Sequence, residues 1–132
     1  MIVDRGFEQL KNIDYTETYA LTAKFNSCRA LCAIAALNKL NIVHIDVKTA
    51  FLNGKCEEEI YMKQPPGYDD MSGMVCRLIK CLYGLKQAPR AWNKTLTAAL
   101  QAHGFTRTVT DESVYVKRQG DDILLSYRLP RG

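Results

Sequence analysis

The chain has 132 residues, 47% of them hydrophobic and 24% charged, and a formal net charge of +4. That length fits one domain or a large part of one, with enough apolar residues for a core and an ordinary charged fraction. No run of about 18 apolar residues is present to cross a membrane, the N-terminal text MIVDRGFEQ lacks the apolar centre of a signal peptide, and the mild positive charge is compatible with nucleic acid without specifying it.

Residues 1–25 are mixed and weakly patterned. Ser27 then offers an N-cap, and Ala30, Ala33, Ile34, Leu37 and Leu40 follow at helical spacing. Leu31 and Ala35 widen the apolar stripe, which predicts a helix buried on most sides, with Asn41 in the left-handed position after its end. Val43, Ile45 and Val47 alternate as in a strand, and Asp46 sits inside that run. A carboxylate in a buried strand is costly unless compensated by a metal ion, a cation or backbone N–H groups. The alternative is a strand-end Asp that caps the following turn. Asn53-Gly54 is a turn signal.

Glu57-Glu58-Glu59 is a run of adjacent carboxylates that point different ways and is read as solvated rather than as a metal site. Ile60, Tyr61 and Met62 form a strand that Pro65-Pro66-Gly67 ends, and Met74 to Leu82 reads as the return strand. Gly84 permits a tight turn and close approach of backbone to a ligand. Pro89 suits the first turn of a helix whose apolar face is Trp92, Leu96, Ala99, Leu100 and His103, ended by Gly104. His103 is a capping or packing residue. Lys86, Arg90 and Lys94 recur every four residues on roughly the opposite face, as a solvated face or as a rail along nucleic-acid phosphates. Val114-Tyr115-Val116 and Ile123-Leu124-Leu125 are strands joined by a turn at Gln119-Gly120-Asp121-Asp122, whose acidic pair precedes its strand. The odd number of cysteines, five, without a secretion signal argues for free thiols in a reducing compartment. Cys28 and Cys32 have no matching second pair for a metal, and all five are read as small packing residues.

Three segments occur in series: DVKTAFLNG, EEEIYMKQPPGY and LYGLKQAPRAW. Together they resemble the reverse transcriptase of copia-type LTR retrotransposons, from about Arg5-Gly6-Phe7 to Tyr127. The resemblance implies an α+β fold: part of a right-hand polymerase palm, with a mixed or antiparallel sheet packed on two main helices. It implies one partial domain over residues 1–132, with 1–25 leading from the fingers and 26–132 in the palm, and with finger text preceding Ile2 to Phe7. Asp46 would be the first catalytic aspartate and a metal ligand, with the backbone carbonyl of Val47 beside it. Phe51 would lie under the sugar, Tyr83 and Gly84 would line the nucleotide pocket, and Lys86, Arg90 and Lys94 would face nucleic acid. Mg²⁺ is the implied cofactor in a two-metal transfer. Template-primer RNA or DNA and dNTP are the implied partners, with no membrane.

One departure matters for activity. In the family, the last strand runs into a Val-Asp-Asp turn that supplies two further aspartates. Here ILLSY at Ile123 to Tyr127 is followed by Arg128, Leu129 and Pro130. The sequence therefore predicts an RNA-directed DNA polymerase fragment that is inactive alone. A non-catalytic nucleic-acid-binding remnant, or an interaction fragment associating through an open sheet edge, stands as the alternative. An intracellular location, cytoplasmic with a nuclear one left open, follows from the same resemblance and the missing signal.

Overall fold

The computed structural model describes residues 6–13, 15–18 and 24–128. The family text at Ile2 to Arg5 and the Leu129-Pro130 departure lie outside the described residues. The chain divides into two units, Met1–Ala20 with Lys48–Leu96, and Leu21–Val47 with Thr97–Gly132.

The first unit is built on a hairpin. Strands β1 (Tyr61–Lys63) and β2 (Val75–Arg77) pair antiparallel in the register Tyr61↔Arg77, Met62↔Cys76, Lys63↔Val75. The loop between them starts at the expected Pro65-Pro66-Gly67, with Gly67 at φ 88°. Gln64 then fastens it, donating to Asp70 Oδ1 at 2.8 Å and accepting the Asp70 N–H at 2.8 Å. Past β2 the chain makes an isolated antiparallel bridge, Lys55↔Lys80. The single long return strand expected from Met74 to Leu82 is therefore broken, with regular pairing confined to β2. Ile60, Cys81, Leu85 and Ala88 form the buried centre, and Phe51, Cys56, Leu78, Leu82 and Ala91 pack against it. Full burial of an Ile or Leu side chain contributes about 1.5–3 kcal/mol. Helix α2, Ala88–Ala102, enters this unit by its N-terminal turns, up to Leu96, with Pro89 in the first turn as expected.

The second unit holds α1 (Phe25–Leu37), the last turns of α2 and a three-stranded antiparallel sheet. Its strands are β3 (Thr106–Arg107), β4 (Val114–Gln119) and β5 (Asp122–Tyr127), in the order β3-β4-β5. The Gln119↔Asp122 pair leaves Gly120 and Asp121 as a two-residue turn, with Gly120 at φ 62°. Asp121 thus sits in the hairpin turn and Asp122 opens β5, so the acidic pair precedes the apolar residues of its strand as the sequence indicates. Gly104 adopts φ 82° just past α2, and the His103 ring nitrogen lies 2.8 Å from the Ala99 carbonyl, a capping contact.

Several expectations are corrected. Residues 41–47 are irregular, and Val43 and Ile45 are 77% and 78% exposed. Alternation marks which face a strand would bury, but a strand also needs a ladder, and no described strand pairs with this segment. The sheet that was to carry Asp46 is instead two separate antiparallel sheets without it. Helix α1 starts earlier than Ser27: Lys24 is its N-cap residue, and the Ser27 hydroxyl bonds Asp111 instead. It ends earlier too, with Asn38 as C-cap and Lys39, not Asn41, at positive φ. Of its residues only Ala35 is buried, so the wide apolar stripe is not an enclosed one. Asn93 and Ala88 are the buried residues of α2, while Trp92, Leu96 and Leu100 are half-buried and Ala99 and His103 exposed. The cysteines are free thiols, but only Cys81 is buried and Cys32 is exposed, so packing accounts for them unequally.

Candidate functional site

The motif DVKTAFLNG folds as a tight turn rather than as strand and loop. Thr49 takes the left-handed conformation at φ 52°, and its hydroxyl donates to the Lys48 carbonyl at 2.7 Å. A 3₁₀ turn, Ala50–Asn53, follows. The Leu52 N–H donates to Thr49 O at 2.9 Å, and the Asn53 side-chain amide closes back on the same carbonyl at 3.3 Å. Ala50 is buried beneath it at 2% exposure. This anchoring turns Phe51 toward Tyr83: their ring centroids are 5.1 Å apart, tilted by 43°. That is within the range of favourable aromatic contacts. Gly84, next to Tyr83, sits at φ 105°, a conformation open to glycine and strained for other residues. The structure thus brings together Phe51, Tyr83 and Gly84, all in the first unit. Asp46, exposed, and Val47, half-buried, belong to the second.

The three cations are also in the first unit, each with a protein partner. Lys86 lies in the turn just before α2, not on the helix. Its N–H donates to Gln9 Oε1 at 2.9 Å and its Nζ to Gln9 O at 3.1 Å, and the Nζ stands 5.0 Å above the Tyr15 ring. Arg90 pairs with Glu17, and Lys94 with Glu57 at 2.5 Å. The Lys94 ammonium holds the Glu57 carboxyl below its ordinary range. Exposed ion pairs contribute only about 0–1 kcal/mol, so these carboxylates are weak competitors for a phosphate. Glu59 pairs with Arg77 at 3.1 Å, and Glu57 and Glu59 are exposed as expected, while Glu58 is half-buried. Beside Arg90 and Lys94 is a cavity of about 60 Å³, lined also by Thr16, Lys55, Glu57, Glu58, Gln87 and Ala91. Ligand pockets usually measure about 300–1,000 Å³, so this one is too small for a nucleotide.

Sequence reasoning missed Gln9, Tyr15, Glu17 and Glu57 as partners of the cations. The Lys86 partners are 71 and 77 residues away and the Lys94 partner 37, beyond any local pattern.

The donor set around Asp46 decides whether it can hold a metal. Among the described residues no three His, Cys, Asp or Glu side chains gather in a group able to hold a metal ion. A single carboxylate does not fix a divalent cation of this kind. The described residues therefore do not fit a Mg²⁺ site. Nor is any helix among them long and apolar enough to cross a membrane.

The family profile described as reverse transcriptase (RNA-dependent DNA polymerase) matches residues 1–127, nearly the whole chain. This chain belongs to the reverse transcriptase family of copia-type retrotransposon Pol polyproteins. It is similar to the retrovirus-related Pol polyprotein from transposon TNT 1-94 of Nicotiana tabacum, 44% identical over 131 residues, covering 96% of this chain and 10% of that one. Similarity to the Pol polyprotein from transposon RE2 of Arabidopsis thaliana is 40% over 125 residues, 93% of this chain and 9% of that one. The transposon Ty1-BL Gag-Pol polyprotein of Saccharomyces cerevisiae is 30% identical over 94 residues, 67% of this chain and 5% of that one. The chain spans about a tenth of the length of the first two. No solved structure matches it. Reverse transcriptases generally work with a divalent metal ion and imply contact with nucleic acid and nucleotide.

Proposed function

We propose that this chain is a palm-derived polypeptide of an RNA-directed DNA polymerase, that it carries part of the nucleotide pocket, and that it does not polymerise by itself. The observation that supports this reading is the family match over residues 1–127, which takes in all three motif segments. Within the pocket, the tilted ring pair of Phe51 and Tyr83 would form an apolar wall against the sugar of a dNTP. Gly84, with no side chain, would let backbone N–H and C=O groups come close to the nucleotide. Asp46, by the resemblance, would be the catalytic carboxylate. Lys86, Arg90 and Lys94 would exchange Gln9, Glu17 and Glu57 for phosphates of a template-primer, each exchange driven by counterion release.

The proposed inactivity rests on one departure from the family's pattern: Arg128 follows Tyr127, where the resemblance calls for a Val-Asp-Asp turn. A guanidinium there repels a cation that two carboxylates would attract. The test is primer extension on an RNA template in Mg²⁺ or Mn²⁺, with the wild type beside Asp46→Asn and folding checked by circular dichroism. Neither protein extends the primer if the reading is right. Extension by the wild type that disappears in Asp46→Asn overturns the inactivity and leaves the family unaffected.

A further inference from the structure

Cys56 and Cys81 are 25 residues apart in sequence, yet their Sγ atoms lie 3.3 Å apart. They flank the antiparallel bridge Lys55↔Lys80. The Cys56 N–H donates to Ile79 O at 3.3 Å and the Cys81 N–H to Gly54 O at 3.0 Å, so backbone hydrogen bonds hold both segments in register. Lys55 and Lys80 are exposed, while Cys81 is fully buried and Cys56 half-buried, so the thiols share the inward side of this ladder. A disulfide needs sulfurs about 2.05 Å apart, and the register sets the two cysteines diagonally across the ladder with their sulfurs already at 3.3 Å. Cys28 and Cys32 also share a side-chain hydrogen bond, but they lie four residues apart on α1, so a bond between them would join no distant segments.

We propose that Cys56 and Cys81 are a modification site, forming a reversible intramolecular disulfide on exposure to an oxidised low-molecular-weight disulfide such as oxidised glutathione. The half-exposed Cys56 reacts first. Its thiolate attacks one sulfur of the small disulfide, whose S–S bond breaks and releases one thiolate. Cys81 then attacks the Cys56 sulfur of the mixed disulfide, and the second small thiolate leaves. The two cysteine protons end on the two released thiols, and the electron pair lost by the cysteines is the one that reduces the reagent. Burial pushes the Cys81 thiol up to about 12, with the Cys56 thiol adding to the rise. Burial also raises Cys56, against the Cys81 hydrogen bond that lowers it. That order makes Cys56 the entry point and the second step the slow one.

The bond has a consequence for the candidate site. Cys56 follows the turn that carries Phe51, and Cys81 precedes Tyr83, so the disulfide fastens together the two segments that place those rings.

The experiment treats the full chain with oxidised glutathione, blocks remaining thiols with N-ethylmaleimide and maps linked peptides by mass spectrometry. Five free thiols fall to three, with a Cys56–Cys81 peptide that dithiothreitol releases. The Cys28→Ser/Cys32→Ser/Cys76→Ser variant keeps the link, and Cys56→Ser loses it. Because Cys81 is buried, Cys81→Ala serves beside Cys56→Ser so that loss of the link is read in a folded protein. Amide exchange over Thr49–Cys56 and Cys81–Leu85 slows in the oxidised chain. Glutathione retained on Cys56 with Cys81 still free, or a link through any other cysteine, overturns the proposal. Unchanged exchange in a correctly linked chain refutes the fastening of the two ring-bearing segments.

Discussion

Replacing Gly54 by alanine sets two opposed effects against each other. Its backbone lies at φ −80°, ψ 133°, a conformation that any L-residue adopts, so alanine strains nothing locally. Restricting the unfolded chain would then stabilise the protein by about 0.4–1 kcal/mol. Against this, a Cβ at Gly54 would stand 3.0 Å from Ala91 Cβ, 3.0 Å from the Trp92 backbone nitrogen and 3.1 Å from the Ala91 carbonyl carbon. Two of those neighbours are backbone of α2, and the Ala91 N–H is tied to Gln87 O at 3.0 Å. Helix and turn must part by several tenths of an ångström, an overpacking cost of about 1–3 kcal/mol. Overpacking outweighs the entropic gain, and Gly54→Ala is destabilised by about 1–2 kcal/mol on balance. Trp92, the one tryptophan of the chain, sits beside the perturbation and reports it. Urea unfolding followed by its fluorescence should show the midpoint lowered by roughly 0.5–1 M at an m-value near 2 kcal/mol/M. A midpoint equal to or above that of the parent would mean that the close approach of the turn to α2 does not exist in solution.

The Asp111 carboxylate accepts the Lys24 N–H at 3.1 Å and the Ser113 N–H at 2.9 Å and bonds the Ser27 hydroxyl, tying the start of α1 to the loop before β4. Burial pushes its pKa up, but these hydrogen bonds, with Ser27 foremost, prevail and hold it below the ordinary value. A depressed carboxylate contributes stability that is present above the unfolded pKa of about 3.9 and is lost as pH falls through the folded value. Asp111→Asn should therefore be less stable at pH 7 by about 1–3 kcal/mol and lose less on acidification below pH 4; a parallel acid profile in the two proteins would remove Asp111 from the account. The combined variant Lys86→Gln/Arg90→Gln/Lys94→Gln should bind a template-primer duplex more weakly, with the log–log salt slope reduced by about 2–3 units. Fluorescence anisotropy over a salt series reads this directly, and an unchanged slope would leave the three cations serving only Gln9, Tyr15, Glu17 and Glu57.

What the sequence determined by itself is what local rules govern. Pro65-Pro66-Gly67 marks the hairpin loop, Gly120-Asp121 the two-residue turn, Pro89 and Gly104 the ends of α2, because turn and cap chemistry acts over a few residues. The three motif segments likewise carried the family, since they are strings of residues and need no fold to be recognised. Long-range pairing is where that legibility stops. Gly54 reads as a turn glycine, yet its backbone is ordinary and its smallness serves a contact with Ala91. The spacing of Lys86, Arg90 and Lys94 shows three cations but not Gln9, Glu17 and Glu57, which only the path of the chain brings to them. Val43 to Val47 has the alternation of a strand and none of its pairing, because a strand is completed by a neighbour's N–H and C=O groups, and these are supplied by tertiary structure. Cys56 and Cys81 look like unrelated packing residues until the Lys55↔Lys80 bridge sets their sulfurs side by side.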